Sequence, residues 1–171
     1  MKNTKCGFVA LIGEPNAGKS TLMNRIVGAK VSIVTHKVQT TRARIRGIAM
    51  QENSQLVFVD TPGLFKTRRK LDKAMVAAAW SGAADADIVV LIVEAHRGIT
   101  SGVEMILEGL EKRDVKDQRL ILAINKIDKI KSDALLSLTQ SLNQRLNFEE
   151  TFMISAEKGY GVKVLQDWLS E

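Results

Sequence analysis

Apolar and polar positions follow two rhythms along this chain, and the switches between them mark out its elements. Short apolar runs of strand length stand at Gly7–Ile12, Leu56–Val59, Ile88–Val93, Leu120–Ile124 and Phe152–Ile154, and Ala43–Met50 alternates with period two. Between them, apolar residues recur at helical spacing over Lys19–Val27, Lys70–Ser81, Ser101–Lys112, Ser132–Leu146 and Val162–Leu169. In the second of these, Leu71, Met75, Ala78 and Ala79 share one face; in the third, Val103, Ile106, Leu107 and Leu110 do.

Strands that are apolar throughout and separated by helices belong in a mostly parallel sheet covered on both faces. The fold class is therefore α/β, a three-layer α/β/α domain with a six-stranded sheet. The strands at 43–50 and 55–59 are too close in sequence for a crossover, so that pair is expected to be an antiparallel hairpin at one edge. In such sheets ligands bind at the carboxyl ends of the strands. Chemistry is expected in the loops after Ile12, Val59, Ile124 and Ile154.

Composition narrows the setting. The 171 residues, 45% hydrophobic and 26% charged, suffice for one domain that buries roughly 70% of its unfolded surface. One cysteine, Cys6, cannot form an internal disulfide, which suits a reducing, cytoplasmic setting. The longest greasy stretch, Ile88–Val93, falls far short of the ~20 residues of a membrane span. Charge is lopsided: residues 1–80 hold 14 Lys/Arg against 4 Asp/Glu, and residues 81–171 hold 11 against 15. A basic half favours a polyanionic partner, while a solvated lysine-rich face explains the same count.

The loop after the first strand, Gly13-Glu-Pro15-Asn16-Ala17-Gly18-Lys19-Ser20, fits G-x-x-x-x-G-K-[ST]. Its glycines let the backbone curl so that successive N–H groups face one phosphate, and the helix that follows adds its positive end. Lys19 is expected on the β- and γ-phosphates and the Ser20 hydroxyl on Mg²⁺, with Thr21 beside it. Asp60-Thr-Pro-Gly63 follows the third strand. By itself it reads as an ordinary turn, but facing a phosphate loop Asp60 can hold Mg²⁺ from the far side, and the Gly63 N–H can approach a γ-phosphate.

Asn125-Lys126-Ile-Asp128 selects the base. The Asp128 carboxylate accepts two hydrogen bonds, matching guanine N1–H and its 2-amino group, which adenine does not offer together. Asn125 can bind the purine edge and tie the loops together, and the aliphatic stem of Lys126 can lie flat on the ring. Ser155-Ala156, with Glu157 after it, supplies a backbone N–H for the guanine carbonyl. His36, His96, Trp80, Trp168 and Cys6 have no sequence context pointing to catalysis, and surface placement or packing is expected for them.

These four segments, in this order and each at a strand end, resemble the GTPase superfamily. Pro15 and Asn16, the run Val38-Gln39-Thr40-Thr41-Arg42-x-Arg44-Ile45-x-Gly47-Ile48, and Asp60-Thr-Pro-Gly63-Leu64 narrow the resemblance to the Era family of bacterial GTPases. The resemblance implies a P-loop GTPase domain that binds GTP and GDP with Mg²⁺ and hydrolyses GTP. It also implies a role in maturation of the small ribosomal subunit and its 16S rRNA. It places the remaining Mg²⁺-binding threonine in Gln39-Thr40-Thr41: Thr41 is the choice, with Thr40 the alternative. Leu64 stands where Ras-like proteins carry a water-orienting glutamine, so a slow intrinsic rate is expected. Related GTPases with asparagine at the position of Asn16 use it with K⁺, which implies K⁺ stimulation here. Lys19, Thr41, Gly63 and Asn16 are thus the catalytic candidates.

Members of that family carry a KH-type RNA-binding domain after a comparable GTPase domain. No Gly-x-x-Gly KH loop occurs in residues 1–171, which are expected to be the GTPase domain alone, monomeric, and cytoplasmic or peripheral at the inner membrane surface. Rival roles are a GTPase of tRNA modification or large-subunit assembly, and a nucleotide-gated RNA-binding module with incidental hydrolysis.

Overall fold

A computed structural model describes residues 4–14, 16–28, 45–59, 83, 86–112 and 118–171 of the chain. Six strands form one sheet in the order β2-β3-β1-β4-β5-β6: β1 Lys5–Gly13, β2 Ile45–Gln51, β3 Ser54–Val59, β4 Ile88–Glu94, β5 Arg119–Asn125 and β6 Thr151–Met153. Every pairing is parallel except β2 with β3, the expected edge hairpin. Its two-residue turn begins at Glu52 with φ 52°, in keeping with the mirror-image turns that suit the twist of paired strands.

The α-helices among the described residues are α1 Lys19–Val27, α2 Ser101–Glu111, α3 Ser132–Arg145 and α4 Val162–Leu169. Side chains of the central strands alternate between two cores. Ala10, Ile12, Val89, Leu91, Val93, Leu122 and Ile124 face one core, which includes Val103, Ile106 and Leu107 of α2 and Leu138 and Leu142 of α3. Val9, Leu11, Val90, Ile92, Ile121 and Ala123 face the other, with Leu22 and Ile26 of α1 and Leu165 and Leu169 of α4. A strand buried on both faces has no polar side to display, which is why these segments read as unbroken apolar runs.

The strands and helices therefore fall where periodicity puts them, with shifts at their ends. β4 runs one residue further, to Glu94, and β5 gains Arg119 and Asn125, because backbone pairing continues past the last apolar side chain. β6 is displaced by one residue, ending at Met153. A short 3₁₀ helix at Ile127–Lys129, too short to leave a period, was not expected. The helix expected at Lys70–Ser81 and the start of the strand at Ala43 lie outside the described residues. Trp168 packs edge-on against Phe152 with centroids 5.8 Å apart, and the Arg119 guanidinium sits 4.4 Å over its ring, so its packing role holds. Cys6 is exposed.

Leu142 is fully buried between α3 and the sheet. Leu142→Ala removes a methine and two methyl groups from a filled core and is expected to cost about 2–5 kcal/mol, read as a lowered urea midpoint at unchanged slope.

Candidate nucleotide-binding site

β1 ends at Gly13, where the backbone crowds the neighbouring strand. A Cβ on Gly13 would stand 2.7 Å from the Ile92 carbonyl oxygen, so only glycine lets the chain turn there. The loop then takes left-handed backbone at Asn16 (φ 67°) and Gly18 (φ 106°), and asparagine is among the side chains that tolerate it. Gly18 caps α1 with no side-chain hydrogen bond, and the first turn holds no acidic residue. The positive end of the helix thus faces outward without a built-in carboxylate, as an anion site requires.

Lys19 bends back over the loop. Its Nζ donates to the carbonyls of Gly13 and Glu14, each at 2.9 Å. Burial pushes its ammonium below the usual lysine range, and the charge of Glu14 opposes that shift. A desolvated cation resting on two backbone carbonyls is poised to exchange them for stronger phosphate acceptors. Ser20 and Thr21 are exposed beside it.

The second loop is bound to the first by Asn125, 2% exposed at the end of β5. Its Nδ2 donates to the Ala17 carbonyl at 2.8 Å, and its Oδ1 accepts the Ala156 N–H at 2.9 Å. Of the two roles open to this residue, tying the loops is the one the geometry displays. It also gives Gly18 a second reason to be glycine, since a Cβ there would collide with Asn125 Nδ2. Of the Ser155 and Ala156 N–H groups, one of which is expected to meet the guanine carbonyl, Ala156 donates to Asn125 and Ser155 to the Tyr160 carbonyl.

Lys126 adopts φ 63° and sends Nζ to the Asn16 carbonyl at 2.9 Å. Asp128 is exposed, and the Ser155 hydroxyl bonded to it holds its carboxyl below the usual carboxylate range, helped by Lys158 and Lys129. It therefore stays ionised, as an acceptor of two guanine donors must. Ser155 and Ala156 are buried and Glu157 is exposed. The turn that carries them is closed by Ser155 N–H to Tyr160 O at 2.9 Å and Gly159 N–H to Ser155 O at 2.7 Å.

Asn16, Gly18, Lys19, Ser20, Thr21 and Lys126 line one cavity of about 300 Å³ at the carboxyl ends of β1 and β5. Phosphate-loop residues and Lys126 of the base loop meet there. Pro15, Thr40, Thr41, Asp60, Gly63 and Leu64 lie outside the described residues, as do His36 and Trp80.

Three neighbours escaped sequence reasoning. Arg25 of α1 donates from Nε to Ala156 O and from Nη2 to Glu157 O, gripping the turn from the helix side. Glu94 ends β4 with its carboxylate 3.3 Å from Lys126 Nζ. His96 is exposed, as expected, and its Nε2 stands 3.6 Å from the same carboxylate. Sequence separations of 131 residues for Arg25 and 32 for Glu94 explain why no local pattern signals the first two contacts.

Replacing Asn125 with alanine leaves the Ala17 carbonyl and the Ala156 N–H buried and unpaired. Asn125→Ala is expected to cost about 2–5 kcal/mol in urea unfolding.

Comparison with known proteins agrees with this geometry. The family model described as 50S ribosome-binding GTPase matches residues 8–126. GTPase Era of Dinoroseobacter shibae is 72% identical over 166 residues, covering 97% of this chain and 54% of that protein. GTPase Era of Agrobacterium fabrum is 58% identical over 168 residues, covering 98% and 52%. The chain thus spans about half the length of the curated relatives it matches. Among solved structures, Era in complex with MgGDPNP and nucleotides 1506–1542 of 16S ribosomal RNA superposes with a TM-score of 0.79 at 34% identity, covering 98% of this chain and 56% of that one. A variant of Aquifex aeolicus Era bound to GDP and AlF₄⁻ gives 0.77, also at 34% identity, covering 97% and 56%. Because the matched stretch runs from β1 through the base loop to Lys126 and takes in most of the chain, the protein belongs to the 50S ribosome-binding GTPase family, and its homology to GTPase Era proteins extends over nearly its whole length.

Proposed function

We propose that this chain is a guanine-nucleotide switch that binds GTP and GDP with Mg²⁺ and hydrolyses GTP. The observation that carries the reading is the cavity in which the phosphate loop and Lys126 meet, its two loops bound to each other by Asn125. Lys19 sits where a polyphosphate would run along the amino end of α1. Asp128, held ionised, stands on the base side. The fit of a metal rests on Ser20, whose hydroxyl lines the same cavity and is the oxygen donor a hard cation prefers. Thr41 and Asp60 complete that set on the family pattern. Bound Mg²⁺ would neutralise charge on the β- and γ-phosphates.

Hydrolysis draws on this chain's own groups. Lys19 leaves its two carbonyls for the phosphate oxygens and stabilises charge that builds on them, and the amide of Gly63 orients the γ-phosphate. With Leu64 unable to position water, the intrinsic rate is slow. Asn16, exposed at the cavity mouth with its backbone fixed by Lys126, is the candidate holder of a K⁺ near the β,γ-bridge.

In the full protein, the homology to Era and the solved complex of an Era with 16S rRNA support a role in small-subunit assembly. A KH-type domain outside these 171 residues would carry the main RNA contact. Among the described residues no helix is long and apolar enough to cross a membrane. The protein is, in this proposal, a cytoplasmic monomer with a peripheral contact at the inner membrane surface.

Two experiments test this reading. Asp128→Asn turns one acceptor into a donor facing the guanine 2-amino group, so GTP binding is expected to weaken while xanthosine triphosphate gains. A variant that keeps the wild-type preference for GTP would remove Asp128 from base recognition. GTP hydrolysis is expected to run faster in K⁺ than in Na⁺ at matched ionic strength, and Asn16→Ala to erase that difference with nucleotide binding largely kept. The gain should fall below the ~10³–10⁵ of an arginine finger. Equal rates in the two salts would leave Asn16 as a loop residue only.

A further inference from the structure

Glu94 belongs to none of the nucleotide motifs, yet it is one of three buried polar residues among those described, at 6% exposed, with Asn125 and Ser155. It ends a strand whose every other residue is buried and apolar. A carboxylate in such a place is costly unless it is paired. Its partners are Lys126, with Nζ 3.3 Å from Oε1, and His96, with Nε2 3.6 Å from Oε2. The backbone around it is fixed as well: Ala95 N–H donates to Asn125 O at 2.8 Å, and Gly98 N–H donates to Glu94 O at 3.1 Å.

Lys126 is thereby held at both ends. Its backbone sits at φ 63°, a conformation that a side-chain-bearing residue keeps only when its surroundings over-determine it. Its ammonium is pinned between the Glu94 carboxylate and the Asn16 carbonyl. A free lysine stem samples many rotamers, and ordering it on binding a ligand costs entropy. A stem stretched between two fixed anchors has lost that freedom beforehand, so its methylenes form a ready platform for a flat ring.

We propose that Glu94 is a positioning residue for purine recognition, acting through Lys126: it holds the ammonium so that the stem is set against the base before nucleotide arrives. This rests on the guanine-nucleotide reading above. Because Glu94 is to act only through Lys126, the two must be non-additive.

The test is a double-mutant cycle on GDP affinity, measured by calorimetry with wild type, Glu94→Gln, Lys126→Met and the double variant. Glu94→Gln is expected to weaken GDP about tenfold with Lys126 present and less than about twofold in the Lys126→Met background. Urea unfolding of each form separates this from loss of fold. If Glu94→Gln does not fold, Glu94→Asp takes its place, since a carboxylate one methylene short of Lys126 carries the same expectation. The proposal is overturned by equal weakening in both backgrounds, the result of a merely structural role, or by wild-type affinity with Lys126 in place. Wild type that binds no GDP would overturn the guanine-nucleotide reading itself, an outcome visible before any variant is made.

Discussion

One side chain joins two loops that the chain places 108 residues apart. Asn125, buried where β5 ends, gives a hydrogen to the Ala17 carbonyl and takes one from the Ala156 amide. A carboxamide can do both at once, since it carries a donor and an acceptor on one rigid plane. That tie is the buried one; Lys126 to the Asn16 carbonyl and Asp128 to Ser155 join the same three segments nearer the surface. With the buried tie, Ala17 of the first loop and Ala156 of the turn after β6 are held to one side chain. Gly18 shows how closely the arrangement is drawn, because even one methyl group there would fall on the amide.

Among the described residues, the buried polar side chains gather at the carboxyl edge of the sheet. Below Glu94, Asn125 and Ser155 the strands are apolar on both faces, and the two cores exclude water from the layers beneath the site. Polar groups in so dry a setting bind firmly when fully matched and destabilise when not. That explains why the buried polar groups here are matched: Asn125 with two backbone groups, and Glu94 with Lys126 and His96. Rigidity at the site and stability of the fold thus share the same hydrogen bonds.

The parts legible in sequence are those written in local patterns. Doubly buried strands announce themselves as apolar runs, the edge hairpin by its short connection, and the phosphate loop by glycines whose backbone roles are local. What escaped is whatever depends on residues meeting from distant segments. Glu94 looked like the residue after a strand because charge ends an apolar run, yet backbone pairing with Asn125 continues through it. Arg25 stands in the last turn of α1, and nothing near it in sequence hints that its guanidinium reaches the Ala156 and Glu157 carbonyls. Asn125 was recognisable as a site residue, but its division between ligand and scaffold depended on which atoms fold next to it.

The Arg25 contact gives α1 a second meaning. The helix starts at the phosphate loop and, less than two turns on, grips the turn after β6, so it works as a gauge of fixed length between the two. An α-helix advances ~1.5 Å and rotates ~100° with each residue, so its length and its angular aim cannot be altered separately. Adding or removing a single residue between Lys19 and Arg25 would swing the guanidinium off the turn altogether. The chain can therefore drift in side-chain identity along this helix far more readily than it can change the number of residues in it.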